Sequence, residues 1–157
     1  MSSESGLVLS FERLLDVPCE HLWRGWTEPE LMKKWFTPAP WVTVEAEVDA
    51  RPGGIFRTVM QGPNGERNEG AGCVLEAVPN RRFAWTSALG PGFVPNAEPE
   101  GGFLFTAILE FEPVDTRSRY RATALHATAE FARAHAEIGF EAGWNAALDQ
   151  LIALHQG

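Results

Sequence analysis

Few residues in this sequence are able to do chemistry, and their spacing limits what they do. His126 closes the stretch SRYRATALHA, where Tyr120, Ala122, Ala124 and His126 share one parity and Arg121 and Thr123 the other, so a strand here turns the histidine inward. A buried imidazole acts as a general base, orients a ligand, or is a core histidine satisfied by backbone. The residues leave these roles open, and His126 is the one candidate for catalysis. His135 and Glu137 are two apart on a helical stretch and point away from each other, unlike the i, i+4 pair of a helical zinc site. His126, His135 and a carboxylate meet only if the tertiary fold brings them together, so no metal is expected. Glu45, Glu47 and Asp49 lie on the outward parity of one strand and read as a solvated face rather than an acid pair.

No G-x-S-x-G, H-E-x-x-H or P-loop pattern occurs, and Gly53-Gly54 falls between strands rather than ahead of a helix. The sequence thus contains no recognisable catalytic constellation and implies no cofactor; whether it is an enzyme stays open. Cys19 and Cys73 have neither zinc nor C-x-x-C spacing and are expected as two reduced, buried thiols. A net charge of −8 argues against nucleic acid and against anionic membrane surfaces. Lys33-Lys34, Arg81-Arg82 and Arg117/Arg119/Arg121 are short basic clusters that read as solvated faces or turns. There is no apolar run of about 18 residues and no basic-then-apolar start of a secretory signal. The expectation is a cytoplasmic protein with one domain over residues 1–157.

The elements that must position these residues follow from periodicity. Leu7 to Leu15 reads as a first strand, and CEHLWRGW as a short helix with Leu22, Trp23 and Trp26 on one side. Thr27 with Glu30 forms a capping-box pattern that starts a second short helix ending near Trp35. From Trp41 the period becomes two, with Val42, Val44, Ala46 and Val48 expected inward. A turn at ARPGG leads to IFRTVMQ, where Phe56, Thr58 and Met60 face inward, and PNGE is a hairpin turn. Residues 69–78 form the following strand, with Cys73, Leu75 and Ala77 expected inside and a bulge near Gly70 and Gly72. RFAWTSA offers Phe83 and Trp85 to one face, and the Pro- and Gly-rich loop 90–102 is long enough to suggest a functional flap at a cavity entrance. Two further strands end at His126, and one helix is expected from about Ala129 to His155. This is an α+β pattern: a curved antiparallel sheet of about seven strands, two short helices after the first strand, and a long C-terminal helix.

Several stretches also resemble a known family. VPCEHLWRGWTEPELMKKWF, DARPGGIFRTVM, GCVLEAVPNRRFAWT and GFEAGWNAALDQL occur in the order of landmarks in the AHSA1-like branch of the SRPBCC superfamily, the START/Bet v 1-like helix-grip proteins. The resemblance implies a helix-grip fold with an internal cavity. Members include lipid or hormone carriers and polyketide cyclases, and the family is named for an activator of the Hsp90 ATPase that carries an additional domain. No catalytic residue set is implied.

The helical stretch IGFEAGWNAALDQLIAL carries Gly139 and Gly143 beside Phe140 and Trp144, with Ala136, Ala147, Leu151 and Leu154 on the same face. Either the glycines admit a close backbone or ring, or they border a void between helix and sheet. The resemblance favours the void, whose lining would be Phe56, Met60, Trp85, Phe105, His126, Phe140, Gly143 and Trp144. A small hydrophobic or aromatic ligand bound there is the first functional reading. A cyclase-like enzyme acting in the same cavity is the alternative, and a protein-interaction, co-chaperone-like module is the third. A homodimer is a further possibility, because six tryptophans are many for a small interior to hide.

Overall fold

The computed structural model describes residues 6–99 and 102–156. In chain order the elements are β1 (Val8–Leu15), α1 (Cys19–Thr27), α2 (Pro29–Trp35), β2 (Val42–Val48), β3 (Ile55–Gln61), β4 (Arg67–Val78), β5 (Arg82–Thr86), β6 (Leu89–Gly90), β7 (Val94–Pro95), β8 (Phe105–Val114), β9 (Arg117–His126), α3 (Ala129–Glu137) and α4 (Phe140–Gln156). Seven strands form one antiparallel sheet in the order β1-β9-β8-β5-β4-β3-β2, and β6 and β7 pair as a small separate hairpin. The α+β, helix-grip architecture expected from the sequence is thus the one observed: α1 and α2 follow β1, and the C-terminal helix packs on the sheet.

Register follows the inward residues. Phe11 stands opposite Ala122, which stands opposite Leu109; Leu109 faces Phe83, and Phe83 faces Ala77. One row along, Ala124, Ala107, Trp85 and Val74 are successive partners. These side chains join Leu22, Trp26, Met32, Trp35, Leu148 and Leu151 in the core. Polar residues occupy the other face, where three arginines each bridge both neighbouring strands. Arg57 on β3 holds Glu45 on β2 and Glu69 on β4, each at 2.9 Å. Arg82 on β5 holds Glu76 on β4 and Glu110 on β8, and Arg119 on β9 holds Glu12 on β1 and Glu112 on β8. Glu45 and Asp49 are therefore ion-paired, the latter to Arg51 at 2.7 Å, while Glu47 is exposed.

Four local expectations are corrected. In β2 the register shifts between Thr43 and Glu45, so the parity flips: Thr43 is buried with its hydroxyl against that of Thr37, and Val42 is exposed. In β4 a second shift between Val74 and Glu76 places the bulge at Leu75 rather than at the glycines: Cys73 is buried as expected, but Val74 is buried beside it and joins the aromatic core, while Leu75 is only half-buried. Thr27 does not cap α2. It ends α1, donating Oγ1 to the Trp23 carbonyl at 2.7 Å, and Glu28 is the N-cap without a side-chain hydrogen bond. The cause is Pro29, which drives the preceding residue out of helical geometry, to φ −101° and ψ 113°. Finally, the C-terminal helix is two helices. Thr128 caps α3 by accepting from the Phe131 amide at 3.1 Å, and the chain breaks at Gly139, whose φ of +101° is open to glycine and costly for other residues. Ala136, expected on the inner face, is consequently exposed.

Both cysteines are free and buried. All six tryptophans are buried or half-buried. No helix among the described residues is long and apolar enough to cross a membrane.

α1 crosses α4 at Gly25, where an added Cβ would lie 2.5 Å from Cδ1 of Leu151, a fully buried side chain. Overpacking by Gly25→Ala costs about 1–3 kcal/mol, offset in part by the roughly 1 kcal/mol that alanine gains in a helix, so a net loss of stability is expected in urea denaturation.

Candidate functional site

The N-terminal half of α4 stands away from the sheet. Leu148 and Leu151 are fully buried, yet about two turns before Leu151 a Cβ placed on Gly143 would meet nothing within 4 Å. The space so created is a cavity of about 970 Å³ that opens to solvent. Its floor includes Trp26, Trp35 and Tyr120, and its rim includes Ile138, Gly139, Asn96 and Pro99. The walls are aromatic: Phe56 stacks on Trp85 at 4.3 Å between centroids, and Trp85 meets Phe105 edge-on at 5.4 Å.

Of the residues proposed from the sequence as lining, Phe56, Met60, Trp85, Phe105, Phe140, Gly143 and Trp144 border this space. His126 does not. It lies one step behind the wall, with Nδ1 2.9 Å from the Leu7 carbonyl and Nε2 2.9 Å from Nδ1 of His135. His135, which sequence reasoning turned away, is the histidine at the wall, and only 6% of its surface is exposed. The signal was present in the helix limits. With Thr128 as N-cap and Gly139 as terminator, Ala132 and His135 fall three apart on one buried side of α3. The tertiary meeting of His126 and His135 therefore occurs, but without a carboxylate; no cluster of three metal-ligating side chains exists among the described residues.

Electrostatics at the site are set by burial. Removal from water pushes His135 down to about 4, and the nearby His126 acts in the same direction. Trp85 Nε1 is buried without a hydrogen-bond partner among the described residues. The loop after β5 is tied down rather than free at its start: the Gly92 amide donates to the Gly53 carbonyl at 2.8 Å, and Asn96 Nδ2 donates to Ala71 and Ser87 carbonyls at 3.0 Å. Part of the expected flap, residues 100 and 101, lies outside the described residues. The arrangement is suited to holding an apolar molecule against aromatic walls with one or two fixed polar atoms.

Comparison with known proteins agrees with this architecture. The family model described as "Activator of Hsp90 ATPase homolog 1-like protein" matches residues 16–156. A crystal structure of a Nitrosomonas europaea protein is 42% identical, covering 97% of this chain and 96% of its own, with a TM-score of 0.91. A Rhodobacter sphaeroides protein, 24% identical over 97% of this chain and 94% of its own, has a TM-score of 0.83 and shares the fold. So does an Arthrobacter aurescens protein solved by NMR, at 21% identity, 98% and 88% coverage and a TM-score of 0.81. Among curated proteins nothing matches significantly.

Two predictions follow from the geometry. Gly143 lies in the interior of α4 with open space beside it, so Gly143→Ala is expected to raise stability by about 0.5–1 kcal/mol through helix propensity; thermal and urea unfolding measure it. For His135 the folded state resists protonation, whereas the unfolded chain titrates near the ordinary value of 6.5. Its contribution is thus fully present above that value and is lost as pH falls toward about 4. Between these limits the wild type should lose on the order of 2–3 kcal/mol more than His135→Asn, as read by unfolding curves at each pH.

Proposed function

The chain belongs to the activator of Hsp90 ATPase homolog 1-like family, and from that premise we propose that it binds a small hydrophobic or aromatic molecule in the cavity between α4 and the sheet. The observation that carries the reading is the open space beside Gly143 in a helix otherwise tightly seated. A helix interior that keeps a glycine gives up about 1 kcal/mol against alanine, and no neighbouring atom at this position requires the missing side chain. A space of about 970 Å³ is at the upper end of small-molecule pockets, and its aromatic lining suits a flat apolar guest. A few fixed polar atoms, the His135 imidazole and the Trp85 indole N–H, would set orientation.

A cyclase-like enzyme working in the same cavity is the second reading, favoured by the imidazole of His135 at the wall. In that case the proton-handling residue is His135, with His126 behind it as the positioning residue.

The neutral probe N-phenyl-1-naphthylamine tests the binding reading. Saturable fluorescence enhancement should accompany a rise in melting temperature, since probe at 100 times Kd adds about 2.7 kcal/mol. Gly143→Phe, which places a ring in the cavity, should keep the wild-type circular dichroism and lose at least about tenfold in affinity. Undiminished binding by that folded variant would place the probe elsewhere and count against the cavity. Native mass spectrometry of protein purified from its own host would reveal a carried molecule directly.

A further inference from the structure

The two histidines form a hydrogen-bonded chain whose direction is fixed at one end. The Leu7 carbonyl can only accept, so Nδ1 of His126 carries the proton in the 2.9 Å contact. In a neutral His126 the other nitrogen, Nε2, is then a bare lone pair. It accepts from Nδ1–H of His135 across 2.9 Å. That assignment leaves Nε2 of a neutral His135 without a proton, an acceptor and nothing else.

Nε2 lies on the opposite edge of the ring from the nitrogen that meets His126. His135 lines the cavity and His126 does not, which leaves Nε2, the nitrogen not engaged by His126, as the polar atom that His135 can offer there. Among the described residues it has no hydrogen-bond partner. The imidazole is otherwise boxed by rings, with centroids of Phe103, Phe105 and Phe140 at 4.9, 4.7 and 5.1 Å. The one titratable group facing it is His126. Burial disfavours the imidazolium, so the site offers a ligand a lone pair rather than a positive charge. A purely apolar guest would seal that lone pair away from water unpaired, at a cost. A carboxylate would face it with like polarity.

The geometry points to a ligand that carries a hydroxyl donor, phenolic or enolic, on a flat apolar body and gives that proton to Nε2 of His135. This specificity rests on the cavity reading above, and it goes beyond it by stating which polar group the guest presents and which it lacks. His126 acts as the positioning residue: it holds the His135 tautomer and is not itself in reach of the guest.

The test is a pair of probes with one body, 2-naphthol and 2-methoxynaphthalene, titrated into the wild-type protein at neutral pH by tryptophan fluorescence. Methylation makes the probe more apolar, so hydrophobic partition alone favours the ether. The expected result is the reverse, with 2-naphthol bound about tenfold more tightly. His135→Phe should abolish the preference while still binding the ether. His126→Phe releases the tautomer of His135, which can then donate as well as accept, and should narrow the ratio without touching the guest. Equal or weaker binding of 2-naphthol by the wild type overturns the hydroxyl assignment and leaves the cavity reading standing. Failure to bind either probe overturns both. Should His135→Phe not fold, the wild-type ratio and the His126→Phe ratio decide the question. A full preference retained in a folded His135→Phe assigns the acceptor to another group.

Discussion

The structure depends on how α4 is seated: clamped at its C-terminal half and held off at the other. At the clamped end Leu151 fills the space that Gly25 leaves empty, and its carbonyl is 2.7 Å from His21 Nε2. The preceding residue, Gln150, donates from Nε2 to the Trp35 and Thr37 carbonyls at 2.9 and 3.0 Å, fixing the helix to the end of α2. These are tight, specific contacts from two adjacent residues. Nearer its start the helix touches β1 through Phe140, whose ring lies 6.1 Å from that of Phe11, and through Asn145, which accepts from Arg13 at 3.0 Å, while Gly143 leaves the space beside it open. The cavity is the wedge that remains.

The aromatic cluster makes the wedge durable. A void lined by flexible aliphatic chains tends to collapse, whereas rings that brace one another resist closure. Trp26 touches Trp35, Phe36, Phe56, Phe83 and Trp144 within 6.4 Å between centroids and donates its N–H to Tyr120 Oη at 3.3 Å. Ring contacts continue from Phe56 through Trp85 to Phe105 and His135, so the walls form one connected framework. Burial of the Tyr120 hydroxyl in that framework pushes its ionisation well above the ordinary range, so it stays a neutral partner for Trp26.

Much of this was legible in the sequence, and the failures have physical causes. Period-two alternation located every long strand, and it put Tyr120, Ala122, Ala124 and His126 on the inner face, where they are buried. Alternation cannot announce a bulge, which is why the placements of Val42 and Leu75 were misassigned once β2 and β4 each gained a residue. The amphipathic stripe from Phe140 onward gave the inner face of α4, but the same stripe extended through Ala136 hid the break at Gly139. That break separates α3, which carries His135, from α4. Two side chains nine residues apart, on a strand and a separate helix, have no periodic relation. Their meeting is a property of the turn between β9 and α3, and hence the polar end of the cavity was the part least visible in the chain.

The three outward arginines have a consequence for how such a sheet tolerates change. Each is exposed enough that its ion pairs add little to stability. Together, however, they join β2-β3-β4, β4-β5-β8 and β8-β9-β1, which between them include every strand of the large sheet. A one-residue slip of any strand would turn its charged residue toward the core and cost far more than the pair is worth. Strand order and alignment are thus written on the face remote from the cavity. The inward pairs carry the same register, so a substitution that reshapes the cavity wall leaves a second, independent record of the alignment on the outer face.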